Sequence, residues 1–388
     1  YGLLIKLTFG NASNPLLRAD LALMLERDST TESSRLLVLG RVSSVLPQEK
    51  APLLTLNLDV VGEFDFDSGL AALDAVLYES KLFGRFALTG AAAFRRARGQ
   101  GFALAVGGFN PRFTAPVGFP VVPRVTVALT SGDNPKLIIE AYFAITPNTL
   151  QFGATASLYA AAFGFSIEGY IGFDVLVNFW PPHFIADFKA GVQLKRGSRS
   201  LFKVDVAGTL EGPLPLRVAG KATFSLLWWD YSVSFDQNLI GGSDSLASEA
   251  LDVLLELVAR LNDPLSWRTE LPAAAGQLVG VRSNPGGGGL ALHPLGRLVV
   301  QQGLVPLNLD RDIDRVGAFV PARERRFRIT AAQLGDRVIT DLDKVHDEFP
   351  DSQFFELTDA ERLSAPGMAV REAGISFVVP DDKRLQRN

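Results

Sequence analysis

The chain is 388 residues long and carries 38 Lys+Arg against 42 Asp+Glu, a formal net charge of −4 that offers no basic surface for phosphates and argues against a nucleic-acid partner. Hydrophobic residues make up 47% and charged residues 21%, which excludes a disordered chain. There is no cysteine, so no disulfide framework, thiolate nucleophile or cysteine-ligated metal is available, and the three histidines (His183, His293 and His346) stand far apart in the chain.

The opening run Tyr1–Phe9 is apolar, with no Met start, basic leader or cleavage site, and reads as a mature chain or a piece of a longer polypeptide. No stretch reaches about 18 uninterrupted apolar residues, so no transmembrane helix is expected. From Leu54 onward the dominant signal has period two. Leu54, Leu56, Leu58, Val60, Phe64 and Phe66 alternate with Thr55, Asn57, Asp59, Val61, Glu63 and Asp65. Successive strand side chains point to opposite faces, so this segment has one apolar and one mostly polar face. The same alternation recurs over 137–145, 150–158, 165–179, 184–194, 202–210 and 216–228.

Short breakers separate these runs: Thr146-Pro147-Asn148, Trp180-Pro181-Pro182, Arg196-Gly197-Ser198 and Glu211-Gly212-Pro213. Such lengths suit hairpins and exclude the long crossovers of a parallel sheet. The pattern predicts a mainly β fold, with residues 1–240 forming a large antiparallel amphipathic meander of about a dozen strands. The row Phe165, Ile167, Ile171, Phe173, Val175, Val177 is expected to be buried, with Ser166, Glu168 and Tyr170 facing water or a partner. Gly169, Gly208 and Gly220 on the apolar side predict close approach or strong curvature.

Residues 241–264 switch to helical spacing. Leu246, Ala250, Leu254, Leu257, Val258 and Leu261 recur at three-to-four intervals, Ser243, Asp244 or Ser245 can cap the start, and Pro264 follows the end. This stripe is too apolar for water, so Leu246, Leu254, Leu257, Val258 and Leu261 are expected to dock the helix on the sheet near Phe224 and Leu226. Residues 265–388 read as a mixed region. It holds a flexible link at Pro285–Gly289, short strands at Leu298–Val300 and Phe327–Ile329, and a short helix over Asp359–Leu363 capped by Thr358. A loose charged tail, Asp381–Asn388, ends it.

Five segments carry a family resemblance. Gly107-Gly108-Phe109-Asn110-Pro111-Arg112-Phe113 has the form GGF-x-PRF, and Ala141–Thr149 reads AYFAITPNT. Gly172-Phe173-Asp174, Leu210-Glu211-Gly212-Pro213 and Gln353–Leu363 (QFFELTDAERL) continue in order. As a set they resemble a large bacterial family known as a domain of unknown function and found in long β-rich proteins, from about residue 36 to 375. Ala365-Pro366-Gly367-Met368 departs from the aromatic, acidic ending of that pattern. The resemblance implies a β-rich fold and supplies no catalytic residue.

No HExxH motif, phosphate-binding glycine loop or GxSxG elbow is present, and the chain is read as a non-enzyme with no cofactor and no metal. Asp310-Arg311-Asp312-Ile313-Asp314 begins like a calcium loop, but Arg315 stands where glycine is needed and Pro321 where a bidentate glutamate is needed. Asp59, Asp65 and Asp67 share a polar strand face, as alternation alone dictates. Arg112, in its turn, and Asp174, inside an apolar run, are the candidates for a special polar role, with structural pairing as the favoured one. Trp228-Trp229-Asp230-Tyr231 puts aromatic side chains on both faces. The favoured function is a structural or interaction module whose partners are other subunits or segments of a longer chain. A lipid-binding or lipid-transfer groove is the alternative, and a membrane β-barrel the second.

Overall fold

The computed structural model describes residues 2–11, 14–27, 34–48, 51–99, 101–130, 132–179, 182–227, 229–241, 249–270, 296–334, 336–358, 361 and 368–378. It divides into two units, residues 1–246 with 357–367 and residues 247–356 with 368–388.

The first unit is one antiparallel sheet of 17 strands. These are β1 (Gly2–Asn11), β2 (Asn14–Arg27), β3 (Ser34–Gln48), β4 (Ala51–Asp65), β5 (Leu70–Leu77), β6 (Ser80–Leu82), β7 (Phe86–Thr89), β8 (Ala91–Ala97) and β9 (Gly101–Val106). They continue as β10 (Val125–Ala128), β11 (Lys136–Ile145), β12 (Thr149–Ala162), β13 (Phe165–Asn178), β14 (His183–Arg196), β15 (Arg199–Gly212), β16 (Leu216–Leu226) and β17 (Trp229–Ile240). The alternating segments all form strands. Tight hairpins such as Phe163-Gly164, where both residues have positive φ, join them as short breakers should.

The simple meander holds from β1 to β5 and from β11 to β17. Between them the chain branches: β4 pairs with both β5 and β6, and β11 pairs with both β9 and β10. Strands β5, β8 and β9 carry one branch and β6, β7 and β10 the other. Leaving out β6, β7 and β10, an unbroken series of fourteen strands runs from β1 to β17.

The second unit is smaller and mixed. β18 (Ala250–Leu251) pairs in parallel with β21 (Val320–Pro321). β19 (Trp267–Glu270), β20 (Arg297–Gln301), β25 (Ala369–Val378) and β24 (Asp343–Phe349) form a four-stranded antiparallel sheet in that order. A hairpin of β22 (Ala332–Leu334) and β23 (Arg337–Ile339) adds Ile339, which packs with Phe377, Leu298 and Ile375. Val299, Val305, Ile313, Phe355 and Ala373 are fully buried in this unit.

The helix α1 is Val253–Asn262, shorter than the expected 241–264. Ala250 and Leu251 take the β18 ladder instead, and Asp252 caps the helix by accepting from the Leu255 amide at 3.1 Å. The expected caps Ser243, Asp244 and Ser245, together with Leu246, lie outside the described residues. The expected strand at Phe327–Ile329 is irregular backbone; Phe327 is buried and its carbonyl accepts from the Asn308 amide. Thr358, the expected cap of the second helix, exchanges the hydrogen bonds of a capping box with Glu361; the other residues of that expected helix lie outside the described residues. The glycine-rich link and the tail also lie outside them.

Candidate functional site

Directly opposed residues of neighbouring strands share a face, so the registers trace each face across the whole first unit. One row reads Leu3, Leu23, Val38, Gly62, Leu73, Phe94, Leu104, Ile145, Leu150, Val177, Phe184, passing through eleven strands. This is the apolar face. From β11 to β16 it carries Leu, Ile, Val, Phe and Ala with interspersed glycines between the hairpin ends, and β17 adds Trp229, Tyr231 and Gln237. The charged side chains that stand on it there lie at a hairpin end, Arg196 opposite Phe165 and Arg199.

The apolar face is open along much of β13, which overturns the expected burial of that row: Val175 and Val177 are half-buried rather than buried, while Val38 and Gly62 elsewhere on the same face are buried. Phe173 is 43% and Ile171 63% exposed, and Phe165 and Ile167 are exposed as well. On the other face of the same strand Leu176 is 1% exposed and Asn178 is buried, while Ser166, Glu168 and Asp174 are half-buried. The alternation was legible; which face would be covered was not. The cover lies on the polar side and comes from the loop 107–124, which has no apolar periodicity of its own.

The reason the loop fits there is side-chain size. Ala93, Ala103, Ala105 and Ala144 stand side by side on the polar face of β8, β9 and β11, all buried, and leave room for a second layer of backbone. Gln151 continues that row and is fully buried; its Oε1 accepts from the Asn110 amide at 3.0 Å. Asn110 Oδ1 in turn accepts from the Arg112 amide at 2.8 Å, shaping the turn. Phe109 packs against Phe113 and Phe119 at ring distances of 5.1 and 4.9 Å. Arg124 closes the loop by donating to the carbonyls of Gly107 and Phe109, with its guanidinium 3.9 Å from the Tyr142 ring centre.

Arg112 and Asp174 each take a partner on this face. The Arg112 fork donates to both Asp187 carboxylate oxygens, at 2.5 and 2.7 Å, and Thr209 donates to the same carboxylate at 2.7 Å. These hydrogen bonds, from Arg112 first, hold the Asp187 carboxyl below its usual range. Asp187 is the direct cross-strand neighbour of Asp174. Asp174 accepts from the Tyr142 hydroxyl at 3.0 Å, and burial, reinforced by the Asp174 charge, raises the Tyr142 phenol well above its ordinary value. Asp187, Tyr142 and Thr209 were not singled out from the sequence, because their roles depend on register.

The rest of the polar face is laced with cross-strand pairs: Arg41–Asp59, Arg35–Glu63, Arg95–Asp74, Lys195–Glu168 and Arg217–Asp236, at 2.5 to 3.3 Å. Asp65 is a turn residue that accepts from the amides of Asp67 and Ser68. His183 lies 3.2 Å from Glu211, and His293 lies outside the described residues. In the second unit Asp312 pairs with Arg326, and Asp314 accepts from the Glu356 amide, so these two members of the aspartate run serve as loop anchors.

The helix residues are placed within the second unit. Leu257 is buried; with Leu254 and Leu261 it borders a groove shared with Trp267, Val300 and Phe327. Leu254 and Val258 are exposed, and so are Phe224 and Leu226, the expected docking surface. A ten-residue helix shows only part of the long stripe read from the sequence.

A model of the family of unknown function DUF6603 matches residues 1–361, and the chain belongs to that family. No curated protein and no solved structure matches the chain. Among the described residues no helix is long and apolar enough to cross a membrane.

Proposed function

We propose that this chain is a non-catalytic interaction module whose contact surface is the apolar face of the large sheet, and that the partner it takes there is the acyl chains of lipid. The observation that carries the reading is the combination of exposure and chemistry on that face. Ile171 and Phe173 are open on a surface that runs across β11 to β17, with charge confined to a hairpin end. Exposed apolar areas of this extent mark interaction sites. A protein partner would ordinarily find hydrogen-bonding groups at about one per 100–200 Å² of interface, and from β11 to β16 the side chains of this face offer none between the hairpin ends. Strands of 14 residues are about 46 Å long at roughly 3.3 Å per residue, enough to lie along an extended acyl chain.

The ion-paired face and its loop play the supporting role. They hold a single-layer sheet in shape from the polar side, so the apolar side needs no protein cover of its own. Native mass spectrometry after incubation with phosphatidylcholine vesicles tests the reading. Phospholipid adducts on the wild-type chain, lost in Ile171→Asp, are expected. A wild-type chain that stays free of lipid while binding a fluorescent apolar dye would refute the lipid partner and leave a protein partner on this face.

A further inference from the structure

Two hairpins at one end of the large sheet depart from ordinary turn chemistry. A two-residue hairpin turn favours asparagine, aspartate or glycine at its first position, where the backbone takes positive φ. The β12–β13 turn places Phe163 there (φ 52°), and the β16–β17 turn places Leu227 there (φ 59°). A bulky side chain in this conformation costs folding energy. Neither recovers it by burial: Phe163 is 100% exposed, and Leu227 is exposed as well.

The β14–β15 hairpin lies between these two, and the registers place all three at the same end. Phe165 pairs with Arg196 and Arg196 with Arg199; in the next row Leu194 pairs with Phe202, Phe202 with Leu226 and Leu226 with Trp229. Arg196 and Arg199 are therefore like charges directly opposite one another on the apolar face, a destabilising arrangement. Both are exposed, and neither forms an ion pair among the described residues; Arg196 rests over the Phe165 ring, 5.3 Å from its centre. Phe165, Leu226, Trp229 and Tyr231 are exposed around them, and the Trp229 and Tyr231 rings stack at 6.0 Å. The opposite end of the strands is built differently: Thr146, Asn148 and Thr149 of the β11–β12 hairpin are buried and hydrogen-bonded among themselves.

We propose that this end of the sheet docks on an anionic phospholipid bilayer, with Phe163 and Leu227 inserted among the acyl chains and Arg196 and Arg199 on lipid phosphate. Arginine forks match phosphate oxygens bidentately, and a phosphate shared by the two removes their mutual repulsion. Tryptophan and tyrosine, apolar bodies with one polar tip, settle at the headgroup level, and the two turn tips reach past it. The apolar face starts at these tips and meets no further charged side chain along β13 to β16. An acyl chain thus passes from the bilayer onto the face while its phosphate stays at the arginines. This route rests on the lipid reading of that face and names where lipid enters it.

Flotation of the full chain with vesicles tests the docking end. Vesicles of phosphatidylcholine and phosphatidylglycerol in equal parts should carry the wild type, and phosphatidylcholine alone should carry less of it. Arg196→Gln combined with Arg199→Gln should lower partition onto the mixed vesicles about twenty-fivefold, at about fivefold for each arginine near an anionic surface. Phe163→Asn should lower it about tenfold, the effect of one apolar side chain no longer buried. Its melting temperature should stay level or rise, because asparagine suits the turn. Leu265→Asn, at an equally exposed leucine of the second unit, should leave partition unchanged. Native mass spectrometry of the same samples separates this inference from the lipid reading of the face. A wild type that carries phospholipid adducts but does not float, or floats equally well with the arginine and Phe163 substitutions, would overturn the docking end and keep the acyl-chain face. Flotation lost in those variants, with no adduct on the wild type, would support the docking end and overturn the route onto the face. A chain showing neither adducts nor flotation would overturn both.

Discussion

Tyr170 on β13 crosses over Gly191 on β14 and donates its hydroxyl to Asp205 on β15 at 2.7 Å. Tyr142 does the same two strands earlier, over Gly153 to Asp174. In each case one side chain ties three adjacent strands together. Glycine is what allows it: a Cβ at Gly191 would sit 2.6 Å from the Tyr170 ring, and one at Gly153 would sit 2.6 Å from the Tyr142 ring. The apolar face uses the same device without the hydrogen bond, with Phe188 over Gly208 and Phe235 over Gly220.

Gly191→Ala and Gly153→Ala should therefore each cost about 1–3 kcal/mol, the usual penalty for forced overpacking. Tyr170→Phe, which removes only the hydroxyl, should cost about 0.5–1.5 kcal/mol. Urea denaturation checks these values. The costs of Gly191→Ala and Tyr170→Ala should fail to add, because the alanine at 191 clashes only while the ring is present.

The pH dependence has two limbs. The Asp187 carboxyl is depressed by the hydrogen bonds from Arg112 and Thr209, so its contribution is fully present above the ordinary carboxylate range, about 4, and is lost as pH falls through the depressed value. The Tyr142 phenol is raised by burial and by Asp174, and the Tyr170 phenol is raised by its hydrogen bond to Asp205. Their contribution is full below the ordinary tyrosine value, about 10, and is lost as pH rises beyond it. The acid limb should shrink in Arg112→Leu. Ultraviolet titration should show two phenols ionising late, one fewer in Tyr142→Phe.

Much of this was legible beforehand. Period-two alternation located the long strands, and the breakers located the hairpins, because both are local properties of the chain. Of the glycines expected at close approaches on the apolar face, Gly208 and Gly220 lie under the Phe188 and Phe235 rings, whereas Gly169 has only ordinary contacts. The assignment of inside and outside failed, because a sheet with one apolar face does not declare whether protein covers it. The deciding element, the loop 107–124, acts through buried alanines and through Asn110 and Gln151, contacts that only register reveals. Arg112 and Asp174 stood out as charges in unusual settings; their partners Asp187 and Tyr142 looked ordinary. The helix was overextended because Ala250 and Leu251 satisfy helical spacing yet pair with Val320 and Pro321.

Inside and outside can be separated by mutation. Leu176→Ala, on the covered side of β13, should lower stability by about 2–5 kcal/mol. Ile171→Asp, five residues away on the open side, should stay within about 0.5 kcal/mol of wild type. Thermal melts of the two variants measure the contrast.

The helix gives a parallel case in the second unit. Leu257→Ala removes a buried side chain and should cost about 2–5 kcal/mol. Leu254→Asp changes an exposed position and should cost far less, below about 1 kcal/mol. Chemical denaturation monitored by Trp267 fluorescence is suited to this comparison, since the Trp267 indole donates to the Leu261 carbonyl at 2.7 Å.

The central claim is that the apolar face is open in the folded chain and receives lipid. A polarity-sensitive fluorophore attached to a single introduced cysteine reads this directly, at Ile171→Cys on the apolar face and Glu168→Cys on the polar face. The expected result is a wet label at both positions in the isolated chain, and a blue shift at 171 alone when phosphatidylcholine vesicles are added. A label at 171 that is already dry in the isolated chain and indifferent to vesicles would contradict the account.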